Sequence, residues 1–195
     1  MKVITVKVLK VCGLDIVGRY VGLPVGKVLQ DANVNPNYIP PDKLKTLTKL
    51  VRAGDQHAKI LRQVIVHFEI TAPRYWWQEM DTYQAGVAGY SASTMHCTPY
   101  GIDDDVNDAV DERVAELYNT LAREVKECGW SKAEKIRYLK SNLPGGFMQT
   151  QLKMFSYQTL RRIAMQRWNH RLPEWHEFLT VVKTLPYAEE LIYAW

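Results

Sequence analysis

Arginines dominate the chemistry open to this chain. Arg161, Arg162, Arg167 and Arg171, joined by His170 and His176, make the C-terminal third its most cationic part. A guanidinium presents paired N–H donors that match the oxygens of a phosphate. Two readings stay open at this point: a phosphate or oxyanion clamp, and a solvated basic face. Upstream, the hydroxyls of Ser91, Ser93 and Thr94 follow a small-residue stretch with Ala85, Gly86, Ala88 and Gly89. Small residues let a backbone approach a polar ligand closely, and hydroxyls can then bond to it. Metal chemistry is not indicated. His170 and His176 are six apart and His57 and His67 ten apart, which matches neither an i, i+4 helical pair nor a zinc pattern. Cys97 beside His96 does not make a nucleophile, because neighbours in sequence need not meet in space. There is no P-loop and no G-x-G-x-x-G.

Composition narrows the classes. The chain has 195 residues, enough for one domain with a real core, and no linker or repeat divides it. No apolar run is long enough to span a membrane. The opening MKVITVKVLKV alternates and reads as a strand, not a signal peptide. Cys12, Cys97 and Cys128 form an odd, scattered set, which points to a reducing compartment, the cytoplasm. The net charge of +4 permits a phosphorylated small molecule and does not by itself call for nucleic acid.

The elements that must position these residues follow from periodicity. Val64 to Thr71 alternates Val64, Val66, Phe68 and Ile70 against Ile65, His67, Glu69 and Thr71, the pattern of a strand with one buried face. Pro73 starts a helix to Gln84 with an aromatic face that includes Tyr75, Trp76, Met80 and Tyr83, and the Trp76–Trp77 pair is assigned to the core. A loop follows. Before it, Leu14 to Val21 reads as a short helix, Asp42 caps a helix to Arg52 that Gly54 ends, and Asp55 caps another short one. Asp103 to Asp105 precede a long helix with the stripe Val106, Val110, Val114, Leu117, Leu121 and Val125. Ser131 and Glu134 make a capping box for a helix that stops at Leu143-Pro144-Gly145-Gly146. Thr150 to Trp168 is read as a further helix with Leu152 inward, and Pro173 starts the last one. The sum is an α+β domain with a few early strands and a predominantly helical remainder.

The motif FEITAP, leading into an aromatic helix, and the downstream L-P and L-R resemble the flavin-dependent thymidylate synthases (ThyX), and more closely the small ThyX-like proteins of bacteriophages. That family follows F-x-V-x-A-P with a helix and the signature R-H-R-x-x-S-x-N-E-x-S-x-R-Y. Counted without gaps from Phe68, R-H-R falls on Thr82, Tyr83 and Gln84, its serine on Val87 and N-E on Gly89-Tyr90. The closing S-x-R-Y meets Ser91 to Met95 only with a slip of a residue. The glutamine that precedes the signature is Glu79 here. The family's L-P lands on Leu143-Pro144, a basic residue three positions before it on Lys140, and the arginine that faces the pyrimidine on Arg167. The family's Asn and Arg between them become Ser156 and Gln158.

The resemblance implies a single ThyX-like domain over residues 1–195 that methylates dUMP with FAD, NADPH and methylene-tetrahydrofolate, the flavin and not a protein nucleophile doing the chemistry. It assigns Thr82, Tyr83 and Gln84 to the cofactor, and Glu79, Ser91, Ser93, Lys140 and Arg167 to the substrate. It also implies a homotetramer whose subunits share each site. The cationic triplet of the signature is missing here, and each lost charged donor forfeits about 1.5–3 kcal/mol. Arg62 or Arg74 of a neighbouring subunit could compensate. The alternative function is a non-catalytic nucleotide-binding oligomer.

Overall fold

In the computed structural model, which describes residues 3–28, 35–93, 100–102 and 105–195, the elements in chain order are β1 (Thr5–Cys12), α1 (Leu14–Tyr20), α2 (Pro41–Arg52), β2 (Ile65–Pro73), α3 (Arg74–Met80), β3 (Val87–Ser91), α4 (Glu112–Glu127), α5 (Lys132–Asn142), β4 (Met148–Ser156), α6 (Tyr157–Arg167), α7 (Pro173–Lys183) and the short α8 (Ala188–Leu191). The strands form one sheet in the order β1-β2-β4-β3. Arg74 N–H donates to the Phe147 carbonyl and Tyr157 N–H to the Val64 carbonyl, so β2 and β4 run antiparallel. Ser156 N–H to Gly86 and Ala92 N–H to Thr150 make β3 and β4 antiparallel as well. The class is α+β, as the patterning predicts.

Local signals are realised where they are strong. The alternation of β2 buries Val66, Phe68 and Ile70, and Val64 just before it is buried too. Trp76 and Trp77 are core residues. The capping box forms: Ser131 accepts from Glu134 N–H, and the Glu134 carboxylate accepts from Ser131 N–H. Other boundaries move. Pro40, not Asp42, caps α2, with Pro41 in its first turn. Ala58–Gln63 is a 3-10 turn that begins after His57. The aromatic helix stops at Met80, four residues short of Gln84.

Three expectations are corrected. Thr150–Trp168 is not one helix. Its first half is β4, because pairing with β2 and β3 supplies hydrogen bonds that outweigh the helix propensity of Gln, Leu, Lys and Met. Gln151, Lys153 and Phe155 point to the buried face, and Leu152, expected inward, is exposed. The stretch after Gln84 contains β3, whose one glycine, Gly89, is tolerated beside β4. The long helix α4 starts only after Asp111, whose carboxylate accepts from Arg113 N–H. Val106 lies before it, in a bridge to Phe147. The buried stripe is Tyr118, Ala122 and Val125, while Val114 and Leu117 face water. Asp103 and Asp104 lie outside the described residues.

Two compact units divide the chain. The first holds Met1–Thr5, Ile70–Thr82 and Tyr90–Gln151. Its core packs Ile102, Tyr118, Ala122 and Val125 with Leu139, Leu143 and Phe147. The second holds Val6–Glu69, Tyr83–Gly89 and Leu152–Trp195. Its centre is a ring triangle of Phe68, Phe155 and Phe178, with centroids 5.9 to 6.1 Å apart.

Phe155→Ala should cost about 3–5 kcal/mol, the range for truncating a buried aromatic. Leu117→Ala should change stability by less than about 0.5 kcal/mol, as for an exposed residue. Chemical denaturation of both variants measures this; a large loss for Leu117→Ala would restore the stripe read from the sequence.

Candidate functional site

The second unit contains a cleft of about 390 Å³ at the start of α6. Strand β4 ends at Ser156, which is also the N-cap of α6 and accepts from Thr159 N–H. Ser156 Oγ and Thr159 Oγ1 lie 2.9 Å apart, and the Thr159 hydroxyl donates to the Ala85 carbonyl. Gly86 completes this corner with a left-handed backbone (φ +71°). A Cβ at Gly86 would come within 2.9 Å of both hydroxyl oxygens, so glycine is what lets the turn before β3 close over them.

Two guanidinium groups edge the cleft. Arg62 donates through Nε to the Gln158 side-chain oxygen, and Gln158 in turn donates to the Asp55 carbonyl. Arg162 Nε lies 2.6 Å from the Asp55 carboxylate, both side chains being partly exposed. Asp55 thus orients both arginines, one directly and one through Gln158, and cancels only one of their two charges. The next arginine has another role. Arg161 is buried, and its guanidinium donates to the Val51 carbonyl near the end of α2. Burial pulls its pKa down, and the nearby Asp55 charge works against that.

The sequence-predicted residues fall in several places. Tyr83 and Arg167 meet: the Tyr83 hydroxyl accepts from Arg167 Nε at 3.0 Å and donates to Gln166 at 2.9 Å. The Arg167 guanidinium carbon lies 4.7 Å from the centre of the buried Trp175 ring and 5.7 Å from that of Tyr83. Thr82 donates to the Glu79 carbonyl, and Gln84 is exposed. In the first unit, Ser93 lines a small cleft with Asp105, Met148 and Thr150, and Ser91 is exposed. Lys140 lies elsewhere in that unit, on the outer face of α5 with Lys132, Ile136 and Arg137. Within one chain, Lys140 and Ser93 line different clefts. Thr94, His96 and Cys97 lie outside the described residues. Among the described residues no group of three His, Cys, Asp or Glu could hold a metal, and no helix is long and apolar enough to cross a membrane.

The resemblance names Ser156 and Gln158 only as replacements for a family Asn and Arg, and Arg62 only as a cation from a neighbouring subunit, whereas here Arg62 edges the cleft of its own chain. Gly86 belongs to the small-residue stretch singled out in the sequence, while Thr159 and the clamp role of Asp55 were missed. The spacing Ser156-x-x-Thr159 was the available signal, an N-cap pattern hidden by reading the segment as helix.

The α6 cleft thus sets two arginines, one of them paired with Asp55, and two hydroxyls at the start of a helix, an arrangement chemically suited to an anion. Solved structures say which fold carries it. The chain matches thymidylate synthase X (ThyX) from Helicobacter pylori with FAD and dUMP at a TM-score of 0.73 and 12% identity, covering 97% of each chain. A second flavin-dependent ThyX structure from Helicobacter pylori, complexed with FAD and dUMP, matches at a TM-score of 0.71 and 12% identity, over 96% of this chain and 97% of that one. The fold is ThyX-like. No family model matches the sequence, and no curated protein does.

Gly86→Ala and Gly26→Ala isolate the close approach at the cleft. Both glycines sit at nearly the same positive φ, +71° and +72°, but a Cβ at Gly26 meets nothing within 4 Å. Each variant should lose about 1–2 kcal/mol to the left-handed backbone. Gly86→Ala should lose clearly more, because it also displaces the Ser156 and Thr159 hydroxyls. Equal losses in urea unfolding would show that the hydroxyls yield freely.

Proposed function

We propose that this chain is a ThyX-like protein that binds FAD together with a pyrimidine deoxynucleotide of the dUMP type. The observation that carries this reading is the α6 cleft: two arginines, two hydroxyls and a glycine-lined corner on a ThyX-like fold. The cleft suits a phosphate-bearing group. Arg62 and Arg162 would bond to its oxygens, Gln158 and Asp55 hold the two side chains in place, and Gly86 keeps the wall low. Bound there, the flavin would supply the electron transfer that methylation of dUMP from methylene-tetrahydrofolate requires, with NADPH as reductant. The predicted cofactor segment fits the diphosphate less well than this cleft does. Thr82, Tyr83 and Gln84 carry no cation, and the Thr82 and Tyr83 hydroxyls are spent on Glu79 and Gln166. The cations that replace the family triplet are thus Arg62 and Arg162. Arg167 stays the candidate for the pyrimidine, bonded to the Tyr83 hydroxyl and set over the Trp175 ring. A homotetramer is part of the same proposal.

A second reading, nucleotide binding without flavin, is favoured by the uncharged Thr82–Gln84 segment and by the aromatic enclosure of Arg167.

Absorbance in the flavin bands and calorimetric titration with FAD and dUMP separate these. The leading reading expects FAD binding, weakened about tenfold, roughly 1.4 kcal/mol, by Arg62→Ala or Arg162→Ala. Uptake of dUMP without FAD selects the second reading, and uptake of neither ends both. Arg167→Lys keeps the charge but loses the planar two-point contact. It should weaken dUMP by about tenfold while FAD affinity stays; unchanged dUMP affinity would retire Arg167 as a ligand contact.

A further inference from the structure

The C-terminal part of the second unit carries aromatic surface that its core does not use. Trp168 and Trp195 leave 51% and 52% of their surface in water. With Tyr193 they form a three-ring cluster: centroids are 5.9 Å apart for Trp168–Tyr193, 6.1 Å for Trp168–Trp195 and 5.3 Å for Tyr193–Trp195. Contiguous exposed apolar surface of this kind can mark an interaction site. Beside them lies a cleft of about 270 Å³ lined by Trp168, His176, Leu179, Thr180, Lys183 and Tyr193. It is separate from the α6 cleft and shares no lining residue with it.

The polar groups of this cleft select the ligand class. The Tyr193 hydroxyl donates to the Leu179 carbonyl, which fixes its ring against the wall. The Thr180 hydroxyl donates to the His176 carbonyl and keeps its acceptor lone pairs. His176 Nε2 lies 2.7 Å from the His170 carbonyl, so it donates there and its Nδ1 is the other ring nitrogen available for a contact. Lys183 lies 3.3 Å from Glu189, but both side chains are more than half exposed, so water screens the pair and holds it loosely. An indole beside one basic amine, an imidazole and a hydroxyl is suited to a flat heteroaromatic ring that carries an anion. Among the described residues that line the cleft none is a carboxylate, and the nearest one the ion pairs show is Glu189, beside Lys183.

We propose that this cleft is a second nucleotide site, in which a base stacks on Trp168, the phosphate meets Lys183, and His176 Nδ1 accepts from a ribose hydroxyl. Its volume suits one mononucleotide rather than a strand. Binding of AMP is the test, with adenosine as the uncharged control, followed by tryptophan fluorescence and calorimetry. Measurements on an Arg62→Ala/Arg162→Ala background keep the α6 cleft out of the signal, so failure here and failure there are distinguishable. AMP should still bind on that background. Trp168→Ala should weaken it about tenfold or more and Trp168→Phe much less. Lys183→Ala, a surface change that leaves folding intact, should weaken AMP and not adenosine. Glu189→Gln should strengthen AMP a few-fold by removing the competing carboxylate. A short oligothymidylate should bind no more tightly than dTMP. AMP affinity indifferent to both Trp168→Ala and Lys183→Ala overturns the site. Oligothymidylate binding far tighter than dTMP through the same residues overturns the mononucleotide assignment.

Discussion

The α6 cleft depends on how strand β4 ends. Ser156 N–H is taken by Gly86 and Tyr157 N–H by Val64, so the last ladder bonds fall on the residues where the helix begins. Ser156 is therefore both the end of a strand and the cap of a helix. A cap leaves the early N–H groups of a helix near its entrance, where the helix dipole favours negative charge. Strand pairing on one side and the turn at Gly86 on the other decide where that entrance opens.

Charge at the cleft is set by one carboxylate. Asp55 pairs with Arg162 and, through its backbone carbonyl and Gln158, fixes Arg62. The Asp55–Arg162 pair is partly exposed, so its own contribution to stability is small. Its effect is orientation: two arginines are held at one cleft while a single positive charge is left over. Neighbouring Arg161 shows how position on a helix changes a residue's work. One residue earlier, the same side chain is buried and satisfies a backbone carbonyl at the end of α2.

Aromatic rings organise the rest of the second unit. Trp175 packs on Phe178 within the core and also carries the Arg167 guanidinium. The ring quadrupole that gives edge-on packing inside thus also attracts a cation at the rim. The cluster of half-buried Tyr193 with the exposed Trp168 and Trp195 uses similar ring geometry at the surface.

Sequence by itself determined the features that are local. The period of two in β2, the capping box at Ser131, the core role of Trp76 and the stop at Leu143-Pro144 are written within a few residues each. The resemblance found the ThyX-like fold. Tertiary structure alone decided the rest. Met148–Ser156 has helix-forming residues and became a strand because its partners lie in β2 and β3. Arg62, Asp55, Gly86 and Arg162 met at one cleft because the pairing of Val64 with Tyr157 closes a loop of more than ninety residues. Periodicity reports what each segment can bury against something; it carries no record of which distant segment that something is.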